Sequence, residues 1–135
     1  MDHGEKRLGL ALSDPSASLA APLTVIEHVS RQLDAAHVAE LARQHEAGLI
    51  VVGQSFDEQG NPNPAGRRAA RFAAALESQT AIAVTLWDES MSTQDARLAR
   101  LELGASRKRR SGHLDAFAAQ VILQSYLDAY RESEG

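Results

Sequence analysis

The chain opens Met1-Asp2-His3-Gly4-Glu5-Lys6-Arg7-Leu8-Gly9-Leu10-Ala11-Leu12-Ser13-Asp14, and Pro15 follows. Turn-forming residues from His3 to Lys6 precede an apolar run, Leu8 to Leu12, that Asp14-Pro15 stops. That pattern predicts a tight hairpin. A hairpin has two arms, yet only Met1 stands ahead of Asp2. Either Asp2 belongs to a frayed terminus, or most of the first strand lies outside this sequence.

Working outward, Pro22 to Ile26 reads as a further short strand. Arg31 to His45 fits a helix capped by Ser30, with Leu33, Ala36, Val38, Leu41 and Ala42 near one face. Gly48-Leu49-Ile50-Val51-Val52-Gly53 is a Gly-bounded run rich in branched residues, the mark of a buried central strand. A polar loop, Gln54 to Pro64, leads to a helix over Ala65 to Glu77 with Ala69, Phe72, Ala73 and Leu76 inward. Ala81 to Trp87 is the next strand, ending in Asp88-Glu89-Ser90. Ser92-Thr93-Gln94-Asp95 would open a helix to about Leu103, stopped by Gly104. The last helix runs from about His113 to Tyr130, with Leu114, Phe117, Val121, Ile122 and Leu127 as its apolar side. Strands alternating with helices point to an α/β layered domain around a mixed sheet, whose ligands gather beyond the carboxyl ends of parallel strands.

At 135 residues the expectation is one domain over residues 1–135. The sequence has no cysteine, so disulfides and thiolate chemistry are excluded. No apolar stretch approaches a membrane span and no signal peptide is present, which predicts a soluble cytoplasmic protein with no membrane partner. The net charge of -4 argues against a protein that coats nucleic acid with its whole surface. The charge is uneven, however. Arg107, Lys108, Arg109 and Arg110 fall in one loop, and Arg67, Arg68 and Arg71 form a second group. Either group could meet phosphates, or simply be a solvated face.

Three carboxylates stand out. Glu89 follows a strand end, Asp115 lies in the first turn of the last helix, and Asp2 sits where a first strand would meet its turn. Brought together, they would suit one or two Mg2+ or Mn2+ ions, which favour oxygen ligands and accept substrate phosphate. Taken singly, each has a plainer reading. Asp115 would satisfy a helix dipole, Asp88-Glu89 would be a solvated turn, and Asp2 an inert terminal residue. The five histidines lack metal-ligand spacing, no nucleophile-elbow serine occurs, and Gly53-Gln54-Ser55 is no phosphate-cradling loop.

The stretch Asp2-His3-Gly4-Glu5-Lys6-Arg7-Leu8-Gly9 with Ala11-Leu12-Ser13-Asp14 resembles the opening motif of the YqgF family, also called RuvX. Three further stretches match in order: Ile50 to Gly53, Leu86 to Thr93, and Ser106 to Arg110 leading into Leu114 to Ala119 and Ile122 to Leu127. The resemblance implies an RNase H-like fold, a five-stranded mixed sheet flanked by helices. It implies Asp2, Glu89 and Asp115 as catalytic, metal-binding carboxylates, with Mg2+ or Mn2+ as cofactor. Lys6, Arg7, Arg107, Lys108, Arg109 and Arg110 would contact nucleic acid. The implied activity is a nuclease maturing the 5' end of pre-16S rRNA. The alternatives are a resolvase of branched DNA, which would need a homodimer, and a non-catalytic RNA-binding ribosome-assembly factor. The sequence departs from the family at Gln54-Ser55, commonly Leu-Pro, and at Ser90, commonly Arg. Members also carry several residues before the aspartate. The expectation is therefore that the first strand is truncated at the N-terminus, with the start assigned a few residues inside the gene.

Overall fold

A computed structural model describes residues 1–91 and 111–134, and the side chains of these except 91, 111–115 and 132–134. In chain order the elements are β1 (Asp2–His3), β2 (Arg7–Ser13), β3 (Ala20–Glu27), α1 (Arg31–Gln44), β4 (Leu49–Gln54), α2 (Pro64–Gln79), β5 (Ala83–Asp88), a 3-10 turn (Glu89–Met91) and α3 (Ser111–Glu134). The helix expected between Ser92 and Leu103 and the basic loop at Arg107–Arg110 lie outside the described residues.

The opening hairpin forms as its residues dictate. The Gly4 amide donates to the Arg7 carbonyl at 3.0 Å, closing a loop of Glu5 and Lys6. From there Asp2 pairs with Gly9 and His3 with Leu8, antiparallel. β2 continues antiparallel to β3, from Arg7↔Glu27 to Ser13↔Ala20, with a bulge between Leu10 and Ala11. β4 and β5 make a second, parallel sheet, from Leu49↔Ala83 to Gln54↔Asp88. Met1 stands between the two sheets. Its amine donates to the Val51 carbonyl at 2.5 Å, and the Gly53 amide donates to the Met1 carbonyl at 3.0 Å. Those two bonds bracket Val52 as a parallel bridge does.

Alternation along the strands decides which face each side chain takes. Met1, Leu8, Leu10, Ile26, Ile50 and Val52 point to one face and pack with Ala35 and Val38 of α1 and Ala69, Phe72, Ala73 and Leu76 of α2. This is the main core. Gly66 lets α2 approach β4 closely: a Cβ there would lie 2.0 Å from the Ser55 carbonyl oxygen. α3 covers the opposite face, against β2 and β3 above all. It is pinned by Gln120 and Gln124, which bond the backbone of Ala20 and Ser18 at 2.9 Å. Its buried stripe is Ala116, Ala119, Ile122 and Leu127.

Two local expectations shift. Leu33 was expected inward but is 61% exposed, while Asp34 beside it is 2% exposed. The helix turns this way because Asp34 accepts from the Val29 amide at 3.0 Å and pairs with the His28 Nδ1 at 2.5 Å, stapling the strand end to the helix start. Also, the fourth strand does not stop at Gly53 but runs through it to Gln54. A cavity of about 690 Å3 lies in line with β1 beyond Met1, lined by Leu10 and Ser13 of β2, Leu49 and Val51 of β4, Leu41 and Tyr126.

Candidate functional site

The carboxyl ends of the parallel strands carry the candidate chemistry. β4 and β5 end together at Gln54 and Asp88. Immediately after β5 the chain tightens into the Glu89–Met91 turn, held by the Ser90 amide donating to Asp88 Oδ1 at 2.9 Å. That turn bends Glu89 back over β4. Its Oε2 lies 3.2 Å from the position a Cβ would take on Gly53, beside Ile122 of α3. Glu89 therefore sits on the α3 face.

Asp2 reaches the same face by strand alternation, because its neighbours Met1 and His3 point the other way. The His3 ring packs on Phe72, centroids 4.7 Å apart. Asp2 is half-buried and lies across from the buried Gly9. Both carboxylates bear electrostatically on the buried Met1 amine. Burial pushes the Met1 amine down to about 6, and the negative charges of Asp2 and Glu89 partly oppose that shift. Asp2 and Glu89, far apart in sequence, thus both lie within electrostatic reach of the Met1 amine.

Asp115 falls in the second turn of α3 rather than the first, because the helix begins at Ser111. It precedes Ile122, the residue against Gly53, by two turns along the same stripe as the fully buried Ala119. Its side chain lies outside the described residues, as do Arg107, Lys108, Arg109 and Arg110. Lys6 is exposed in the hairpin loop and Arg7 is half-buried at the start of β2, both at the site end of the sheet. Among the described residues no set of three or more His, Asp or Glu side chains is arranged to hold a metal ion. The donors on this face are the carboxylate oxygens of Asp2 and Glu89, with no imidazole between them since His3 packs on Phe72 of α2. That donor chemistry fits a hard divalent cation such as Mg2+ or Mn2+.

Two contributors escaped the sequence reading. The Met1 amine carried no motif at all. Gly53 did carry a signal, since a glycine inside a strand pattern marks close approach by another group, but it reads equally well as a strand boundary.

Comparison with known proteins bears on the same residues. The RuvX family profile, described as Holliday junction resolvase, matches residues 1–129. A relative from Anaeromyxobacter sp. (strain Fw109-5) is 40% identical over 128 residues, covering 95% of this chain and 93% of its own. One from Thermoanaerobacter pseudethanolicus is 34% identical over 132 residues, 97% and 95% respectively. One from Myxococcus xanthus is 37% identical over 131 residues, 97% and 87%. Each bears the name "Putative pre-16S rRNA nuclease". The match runs from the Asp2 hairpin through Glu89 and into the body of α3, and the chain belongs to the RuvX family.

Proposed function

We propose that the protein is a divalent-metal-dependent endonuclease of structured RNA that matures the 5' end of pre-16S rRNA in the cytoplasm. The observation that carries this reading is that Glu89 rests against Gly53 on the α3 face, where strand alternation also turns Asp2, and that both charges bear on the Met1 amine. Family membership and the names of the relatives support the substrate. Asp115, two turns before Ile122 in the helix sequence, would complete the ligand set. Mg2+ or Mn2+ held by these carboxylates would supply Lewis-acid stabilisation of the charge that builds on the phosphodiester. The chain itself supplies the rest. The β1–β2 pairing fixes the backbone of Asp2 and the 3-10 turn that of Glu89, which reduces what must be ordered on binding. Lys6 and Arg7, with the basic run Arg107–Arg110, position phosphates without reading bases.

The same reading joins the two sheets into one RNase H-like layer of five strands, in the order β3-β2-β1-β4-β5, through the bonds of Met1 to Val51 and Gly53. β1 is its short central member. The family description favours one alternative substrate, four-way DNA junctions, which would require a second copy to cut opposed strands.

The deciding experiment is Mn2+-dependent cleavage of precursor 16S rRNA and of a four-way junction, with Glu89→Gln beside the wild type. Cleavage of the rRNA at its 5' end, abolished by the substitution, is expected. Cleavage of the junction alone transfers the protein to the alternative, and cleavage indifferent to Glu89→Gln removes the site.

A further inference from the structure

We infer that Gly53 is a positioning residue of this site: the absent side chain is the space in which the Glu89 carboxylate rests, and its amide anchors the strand that carries Asp2. The inference builds on the metal-site reading above. Glycine weakens a strand interior, having nothing to pack and more freedom to lose. Gly53 nevertheless lies buried inside β4, paired with Trp87. Turn geometry does not require it, since Gly60 is the glycine of positive φ among the described residues. What requires it is proximity. A Cβ on Gly53 would stand 2.8 Å from Ile122 Cδ1 and 3.2 Å from Glu89 Oε2. The first distance is an overlap and the second is tighter than ordinary contact. Any side chain there must displace the tip of Ile122, the carboxylate or both.

The second hold is through the backbone. The Gly53 amide donates to the Met1 carbonyl at 3.0 Å, one peptide before Asp2. One residue thus sets the height of Glu89 above the sheet and the position of the strand bearing Asp2. Val52 and Gln54 cannot share this task, because their side chains face the other layer. Val52 lies in the main core and Gln54 Nε2 donates to the Gly66 carbonyl of α2 at 3.1 Å.

The test separates the two neighbours. Gly53→Ala, Ile122→Val and the double variant are compared with wild type by calorimetric Mn2+ titration, thermal melting, kcat and KM on RNA, and the 13C resonance of the Glu89 carboxyl. Ile122→Val removes Cδ1, the atom a new methyl would strike. Gly53→Ala is expected to weaken Mn2+ binding at least tenfold and lower kcat by a similar factor, with KM within twofold. The double variant is expected to recover the melting temperature of Ile122→Val while Mn2+ binding stays weak. Recovery of Mn2+ affinity together with stability would overturn the proposal, because the clash would then be with α3 alone. Wild-type affinity in Gly53→Ala would overturn it as well. A wild type that binds no Mn2+ would instead sink the metal reading. The Glu89 resonance then decides: a shift in Gly53→Ala sustains the positioning role, and an unmoved resonance removes it.

Discussion

The two faces of the sheet layer are built from the same strands and do opposite work. On the α1/α2 face, Leu8, Leu10, Val52 and Phe72 close a dry core. On the α3 face, the alternate residues are Asp2, Gly9 and Gly53, with Glu89 folded over them. One step along the chain, from His3 back to Asp2 or from Val52 to Gly53, crosses from the core to the candidate site. Large apolar side chains fix one face, and on the other Gly53 leaves room for the Glu89 carboxylate.

The contrast is broken most forcefully from the core side. Phe72→Ala removes a fully buried ring that supports both His3 and the centre of α2. It should cost about 3–5 kcal/mol of stability, read as a shift in urea midpoint at unchanged slope. Glu89→Gln should do the reverse. Losing one charged ligand is worth several kcal/mol to the transition state, so cleavage should fall on the order of 100-fold or more while the melting temperature holds or rises. If Phe72→Ala spared stability, or Glu89→Gln lowered it by a comparable amount, the division of labour between faces would fail.

How far that division could be read in advance varied with the face. The α2 residues Ala69, Phe72, Ala73 and Leu76 and the run Ile50–Val52 announced themselves, because burial of bulky side chains is written in spacing. α1 was less legible. Its low contrast between faces left Leu33 a plausible core residue, and the polar staple from Asp34 to His28 and Val29 settled the rotation instead. At the site, the carboxylates could be named but the position of Glu89 against Gly53 could not, since it depends on how β5 pairs with β4 and how tightly the next turn bends. Gly53 and the Met1 amine were hidden for a related reason: each acts through space it leaves or a bond its backbone makes.

Met1 offers a way to sharpen the comparison, because it belongs to both faces: its side chain joins the core and its amine lies by the carboxylates. The amine falls from 8.0 to about 6 on folding. Between those values the unfolded chain binds more protons than the folded one, so stability rises with pH across that window. Two pK units correspond to roughly 2–3 kcal/mol in total. His3, also lowered by burial, adds the same sign at more acidic pH. An alternating apolar extension ahead of Met1 abolishes the amine and enters the cavity between β2 and β4. The slope of stability between pH 6 and 8 should then flatten, and the melting temperature at pH 7 should rise. An unchanged slope would show that the amine is not buried in solution.

The smallest expected effect lies outside both faces. Lys6 occupies the exposed hairpin loop, and its backbone is already fixed, since its carbonyl accepts from the His28 amide at 2.9 Å. Its side chain therefore contributes charge without supporting the fold. Removing it by Lys6→Ala should leave the melting temperature within measurement error. RNA affinity should drop only a few-fold at physiological salt, equally for all sequences. The diagnostic quantity is the salt dependence: one lost phosphate contact reduces the slope of log affinity against log salt by a little under one unit. Measured on catalytically dead Glu89→Gln protein, so that the RNA stays intact, an unaltered slope would mean that the nucleic acid does not pass over this loop. The route to Asp2 would then have to come from the α3 side.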